Sequence, residues 1–170
     1  MQINSISSMI SSPYADFDYQ GTDFDRRAIA VCWEKLSHLE CFYPDFRSWY
    51  QDVVMPGIKN RERKILIEGE IDNIRGIAIL KKTSREEKIC TIWVDESFRG
   101  RGVATNLMRK SFLHLKTNRP LFTVPQERWA EFQKIVEQYQ FKEVQVLDSW
   151  YRAGKKEYVY NGFLFNPIIN

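Results

Sequence analysis

"KICTIWVDESFRGRGVATNLM", residues Lys88 to Met108, divides into three parts with different physics. The first seven residues are a β-branched and aromatic run, which predicts a strand. From Val103 onward Ala104, Leu107, Met108, Phe112 and Leu115 recur at helical spacing, which predicts a helix ending near "KTNRP". Between them Gly100 and Gly102 alternate with Arg99 and Arg101. A helix N-terminus leaves about four backbone N–H groups without partners and carries roughly half a positive charge, so it favours an anion on its axis. Glycine permits φ > 0 and a close approach, while the arginines add charge that no accessible pH removes. Ala104 keeps the first turn nearly bare. The arrangement predicts a diphosphate seated on the loop, and the chain holds no G-x-x-x-x-G-K-[ST] sequence that would make it an ATPase loop.

Working outward, "LFTVP" predicts a short strand after the helix, so a strand, a crossover helix and a parallel strand follow one another. "ERWAEFQKIVEQYQF" predicts an amphipathic helix, with Trp129, Phe132, Val136 and Tyr139 on one face. "FKEVQVLDSWY" and "KEYVYNG" predict two strands joined through "RAGK". Before the loop, "RKILIEGEIDNIRGIAILKK" predicts an antiparallel hairpin turning at "DN". Ala28, Cys32, Leu36 and Leu39 mark a first helix from Asp25, capped by Thr22 or Asp23. Phe46, Trp49, Tyr50 and Val53 mark a second, expected to end at "MPG". These elements give one domain, residues 22–165, built on a mixed sheet with helices on both faces. Residues 1–21 are expected to form a polar arm or edge strand, and 166–170 a tail. The glycine-arginine loop then sits at the carboxyl end of a strand, where open α/β sheets bind ligands.

Composition narrows the class further. With 170 residues and 44% hydrophobic content there is apolar material for one core. A net charge of +3 does not by itself mark a nucleic-acid binder. Cys32, Cys41 and Cys90 are odd in number and form no C-x-x-C pair, and His38 and His114 lack ligand spacing, so neither a disulfide framework nor a metal site is expected. The serine-rich N-terminus lacks the features of a signal peptide, and "AIAVCW" is far short of a membrane span. A cytoplasmic protein with no membrane partner is expected.

The strand ending in Val94, "DESF", and then Arg99-Gly100-Arg101-Gly102-Val103-Ala104 resemble the R/Q-x-x-G-x-G/A acetyl-CoA motif of the GNAT (Gcn5-related) N-acetyltransferases. The order of elements from Asp25 to Gly162 is similar to that fold as well. The resemblance implies a GNAT-like, mostly antiparallel sheet with a parallel central strand pair. It implies that Ile92, Trp93 and Val94 offer backbone groups to the pantetheine arm, and that Arg99, Gly100, Arg101, Gly102, Val103, Ala104 and Thr105 hold the pyrophosphate of acetyl-CoA, with no metal. It also implies that the parallel strands splay to admit the thioester.

The implied reaction is direct attack on acetyl-CoA by an acceptor amine, which is a small amine, a protein amino group or an aminoacyl-tRNA; nothing in the sequence specifically supports RNA. Glu87 stands near the position of a glutamate base in some members, although the motif count falls on Lys88, so a strand bulge is needed to bring Glu87 to the same face. The family's tyrosine acid has Val136 in its place, which leaves Tyr151 or Tyr158 for that role. Tyr43, Trp49 and Tyr50, from the aromatic cluster that includes Phe42 and Phe46, are expected at the acceptor pocket. A monomer or homodimer fits this reading. The alternative is a catalytically decayed acyl-CoA sensor or interaction module.

Overall fold

The computed structural model describes residues 23–165, with side chains from Asp25 onward. The arm expected at 1–21, the tail at 166–170 and the cap at Thr22 lie outside the described residues.

Helix α1 spans Asp23–Leu36 and passes into a 3-10 turn, Ser37–Cys41. The tightening of that turn brings Leu39 into the same core as Ala28, Cys32 and Leu36, all four at most 1% exposed. Helix α2, Phe46–Trp49, does not stop at "MPG" as expected. It widens into a π turn over Tyr50–Val54, where the Met55 N–H donates to the Tyr50 carbonyl, and continues as α3, Met55–Lys59. Pro56 therefore falls in the first turn of a helical segment, where a missing N–H costs nothing. The extra residue also rotates the apolar face. Phe46, Tyr50, Val54 and Ile58 are buried, whereas Val53 is 42% exposed.

Strands β1 (Arg63–Glu70) and β2 (Asn73–Lys82) form the expected hairpin, but the turn falls at Ile71 and Asp72 rather than at "DN", because Asn73 already pairs with Glu70. Strand β3 is Glu87–Val94, helix α4 Val103–Leu115, strand β4 Leu121–Pro125 and helix α5 Trp129–Gln138; β5 (Glu143–Asp148) and β6 (Lys156–Tyr160) follow. The sheet order is β1-β2-β3-β4-β6-β5, with β3 and β4 parallel and every other neighbouring pair antiparallel. Alternation along the strands assigns each face its own core. Ile65, Ile67, Ile77, Ile79 and Trp93 pack with α1, α2 and α3. Leu66, Ala78, Leu80, Ile89 and Ile92 pack with α4 and α5. No helix among the described residues is long and apolar enough to cross a membrane.

Two local features position the centre of the sheet. Gly76 on β2 lets α4 lie close, because a Cβ there would stand 2.7 Å from Val103 Cγ1 and 3.0 Å from Leu107 Cδ1. Strand β3 carries a bulge: Ile79 pairs with Thr91 and Leu80 with Ile89, which leaves Cys90 without a partner on β2.

Candidate active site

Helix α4 starts at Val103 because Gly102, at φ 80° and ψ 0°, turns the chain through a left-handed cap; Gly100 does the same at φ 73°. A Cβ built on either glycine would meet nothing within 4 Å. Glycine here supplies conformational freedom and a bare loop surface rather than room for a protein neighbour. The Asn106 N–H donates to the Gly102 carbonyl at 3.0 Å, so the first-turn amides of Val103, Ala104 and Thr105 point out of the helix at its positive end. No side chain caps them. Arg99 and Arg101 are exposed beside them. The Arg99 guanidinium is 3.9 Å from Glu96, and the guanidiniums of Arg101 and Arg75 lie 5.9 and 5.5 Å from the centre of the Phe98 ring. Such surface contacts hold cations weakly and leave them able to turn to an anion. Bare amides, a glycine loop and mobile guanidiniums fit a diphosphate such as that of coenzyme A.

From this cradle β3 leads back into the molecule. Its parallel pairing with β4 is confined to Lys88 with Leu121 and Ile89 with Phe122. Past the Cys90 bulge the two strands part, and Cys90, Thr91 and Ile92 face Phe122, Thr123 and Pro125 across the gap. The gap shares Tyr43, Cys90, Thr91 and Thr123 with a cavity of about 550 Å³. Tyr43, Phe46, Trp49, Trp150, Tyr151 and Phe165 give that cavity aromatic walls. Its charged lining consists of Arg63, Lys81 and Lys88 against Asp45 and Glu86. Lys81 and Glu86 pair at 3.1 Å.

Directly behind Tyr43 and Thr123, the two residues that line both gap and cavity and hydrogen-bond to it, stands a carboxylate that sequence reasoning missed. Glu157 on β6 is 3% exposed. It sits opposite Pro125, accepts hydrogen bonds from the Thr123 hydroxyl and from the Tyr43 hydroxyl at 3.5 Å, and is attracted by Lys88. Burial outweighs these partners and pushes its pKa up to about 7. The Tyr43 and Tyr151 phenols are also raised, by burial first and by the Glu157 charge second. The signal was present in "KEYVY": Glu157 and Val159 share one face of a strand whose Tyr158 and Tyr160 face the α4–α5 core. An acid at an inward position of an alternating strand marks either a buried pair or a site.

The structure brings together some of the expected residues and separates others. Tyr43, Trp49 and Tyr151 line the cavity. Tyr50 does not; it is 1% exposed in the core, where its hydroxyl donates to the Ile29 carbonyl at 2.9 Å. Tyr158 packs on the opposite face of the sheet. The bulge needed for Glu87 exists, but it leaves Lys88 on the cavity side and Glu87 exposed, paired with Lys82 at the mouth of the strand. Ile92 lines the gap, Trp93 packs toward α1–α3 and Val94 is half-buried just before the loop.

A model of the Acetyltransferase (GNAT) family matches residues 26–119, more than half of the chain. No curated protein sequence is significantly similar to this chain. Among solved structures, a GNAT-family protein from Desulfovibrio desulfuricans superposes with a TM-score of 0.64 at 15% identity, over 86% of this chain and 95% of its own. An aminoglycoside 6'-N-acetyltransferase complexed with coenzyme A superposes with a TM-score of 0.56 at 13% identity, over 86% and 94%. A candidate streptothricin acetyltransferase from Bacillus anthracis, in complex with acetyl coenzyme A, gives 0.54 at 20% identity, over 64% and 67%. At these identities the likeness is one of fold.

Proposed function

The chain belongs to the GNAT acetyltransferase family, and from that premise we propose that it is an acetyl-CoA-dependent N-acetyltransferase in which an acceptor amine attacks the thioester directly. The observation that carries this reading is the gap between β3 and β4, which connects the strand rising from the glycine-arginine loop to the aromatic cavity at Tyr43, Cys90, Thr91 and Thr123. Val103, Ala104 and Thr105 offer amides to the diphosphate, with Arg99 and Arg101 at its edge. Four residue steps along the strand, about 13 Å, separate Val94 from Cys90, and this stretch guides the pantetheine arm. Bound there, acetyl-CoA supplies an activated acyl carbonyl at the junction.

Glu157 is the base. A lysine-like amine with pKa about 10.4 must shed a proton before attack, at a cost of about 4.6 kcal/mol at pH 7. A carboxylate held near neutrality accepts that proton at the operating pH. The nitrogen–carbon bond then forms as the carbon–sulfur bond breaks, and the thiolate takes a proton from Tyr151, whose raised phenol stays protonated and lines the same cavity. Glu87 is exposed at the mouth of β3 and Tyr158 packs on the opposite face of the sheet, so we assign their expected roles to Glu157, which accepts hydrogen bonds from Tyr43 and Thr123 of the cavity lining, and to Tyr151. Cys90 lines the gap, but its polar contact is with Arg63 Nη1 at 3.1 Å rather than with a base, which favours direct transfer over a covalent enzyme intermediate.

The test is release of free CoA thiol from acetyl-CoA across a panel of amines. Turnover that depends on an acceptor and falls by roughly 10²-fold or more in Glu157→Gln supports the reading. Tight acetyl-CoA binding with no turnover on any amine would instead make the domain an acyl-CoA sensor.

A further inference from the structure

The acceptor cavity has an unusual charge for a site that must receive an amine. Its own charged lining holds three cations and two acids, with Glu157 behind Tyr43 and Thr123 as a third acid. Lys81 is neutralised by Glu86 at 3.1 Å, and Asp45 is exposed on the loop before α2. Arg63 and Lys88 remain, and neither forms an ion pair with a described residue. Arg63 is held in place all the same. Its guanidinium stacks 5.5 Å from the centre of the Trp49 ring, and Nη1 lies 3.1 Å from Cys90 Sγ at the cavity floor. Lys88 stands two residues from Cys90 on the same strand and feels the Glu157 carboxylate through space. The cavity thus has one buried acid, Glu157, just behind Tyr43 and Thr123, and two lining cations with unused hydrogen-bonding capacity.

A polycationic acceptor gains nothing from such a floor. Each ammonium beyond the one at Glu157 would meet a like charge in a partly desolvated space. A simple neutral-bodied amine would leave Arg63 without a counter-charge and make Lys88 share Glu157 with the incoming ammonium as it expels water around them. An acceptor with an anion a few bonds from its amine satisfies both: the amine meets Glu157, and the anion meets a planar guanidinium and an ammonium. The aromatic walls of Phe46, Trp49, Trp150 and Tyr151 then fit an apolar or aromatic body.

We propose that the acceptor is an amino acid with an apolar or aromatic side chain, its amine directed to Glu157 and its carboxylate held between Arg63 and Lys88. This rests on the acetyl-transfer reading for the identity of the reacting group, but not for the recognition itself. Recognition is measured by calorimetry with two product-like probes, N-acetylphenylalanine and N-phenethylacetamide, which differ by the carboxylate alone. Charge-assisted hydrogen bonds at this level predict roughly 10- to 100-fold tighter binding of the carboxylate probe. Arg63→Gln and Lys88→Gln each should erase most of that preference while leaving acetyl-CoA affinity unchanged.

Turnover on phenylalanine, phenethylamine and spermine, read as thiol release, should rank in the same order, with spermine last. Equal affinity for the two probes, binding of neither, or preferred turnover of spermine would overturn the proposal. A carboxylate preference in binding without turnover would uphold it and count against acetyl transfer instead.

Discussion

The Tyr43 hydroxyl, on the loop entering α2, stands 3.5 Å from Oε1 of Glu157 on β6, 114 residues later in the chain. This contact joins the aromatic roof of the cavity to the sheet that forms its floor, and it places a proton donor on the one deeply buried carboxylate beside the gap. A carboxylate so situated has a cost and a use: desolvation disfavours its charge, and that same disfavour makes it a base near neutral pH. The consequences can be measured separately.

Glu157→Gln should lower kcat by roughly 10²- to 10⁴-fold, the usual contribution of a positioned general base. Acetyl-CoA affinity, set by the α4 cradle, should not change. Steady-state kinetics together with calorimetry checks both; an equal loss of cofactor binding would mark Glu157 as structural.

The pH dependence follows from the sign of the shift. The folded-state pKa of Glu157 is about 7 against an unfolded value of 4.5, so between these values the folded protein holds a proton that the unfolded chain has released. Glu157 therefore makes stability fall as pH rises from about 4.5 to about 7, by on the order of 3 kcal/mol, with no further change above. Rate should move the opposite way, rising through pH 7 to a plateau. Denaturant unfolding of wild type and Glu157→Gln at pH 5 and pH 8 checks this: the variant should be the more stable of the two at pH 8 and lose that advantage at pH 5.

Tyr43→Phe removes a hydrogen bond that favours the charged carboxylate. The midpoint of the pH–rate profile should move upward, by about one unit or less given the long contact. A profile that stays in place would show that the contact does not reach the base.

Gly102→Asp should abolish acetyl-CoA binding. A Cβ at this position meets no protein atom within 4 Å, so the effect comes from bulk and negative charge placed on the helix N-terminus where the diphosphate belongs. The intrinsic cost is the left-handed φ of 80° in a residue with a Cβ, about 1–2 kcal/mol. Thermal melts without ligand should show a modest shift and melts with acetyl-CoA no ligand stabilisation.

Much of this was legible in the sequence, and the parts that were not have physical reasons. The crossover and its loop were readable because glycines before an apolar helical stripe leave few alternatives, and the structure puts Gly100 and Gly102 in the left-handed region as expected. The helix over Met55–Lys59 was hidden because Pro56 reads as a stop unless a π turn resets the helix ahead of it. The faces of β3 were hidden because the place of its bulge is not written in local pattern: it falls at Cys90 and leaves Lys88, the residue on which the motif count falls, on the cavity side and Glu87 exposed. Glu157 was hidden because its meaning depends on β6 lying between β4 and β5, a strand order that local pattern does not encode.

The most direct measurement of the central claim is a crystal structure with acetyl-CoA bound. The account predicts the diphosphate on the amides of Val103 to Thr105, the arm between β3 and β4, and the acetyl carbon at the junction between Thr91 and Glu157. Coenzyme A in another cleft, or an acetyl group directed away from Glu157, would contradict it.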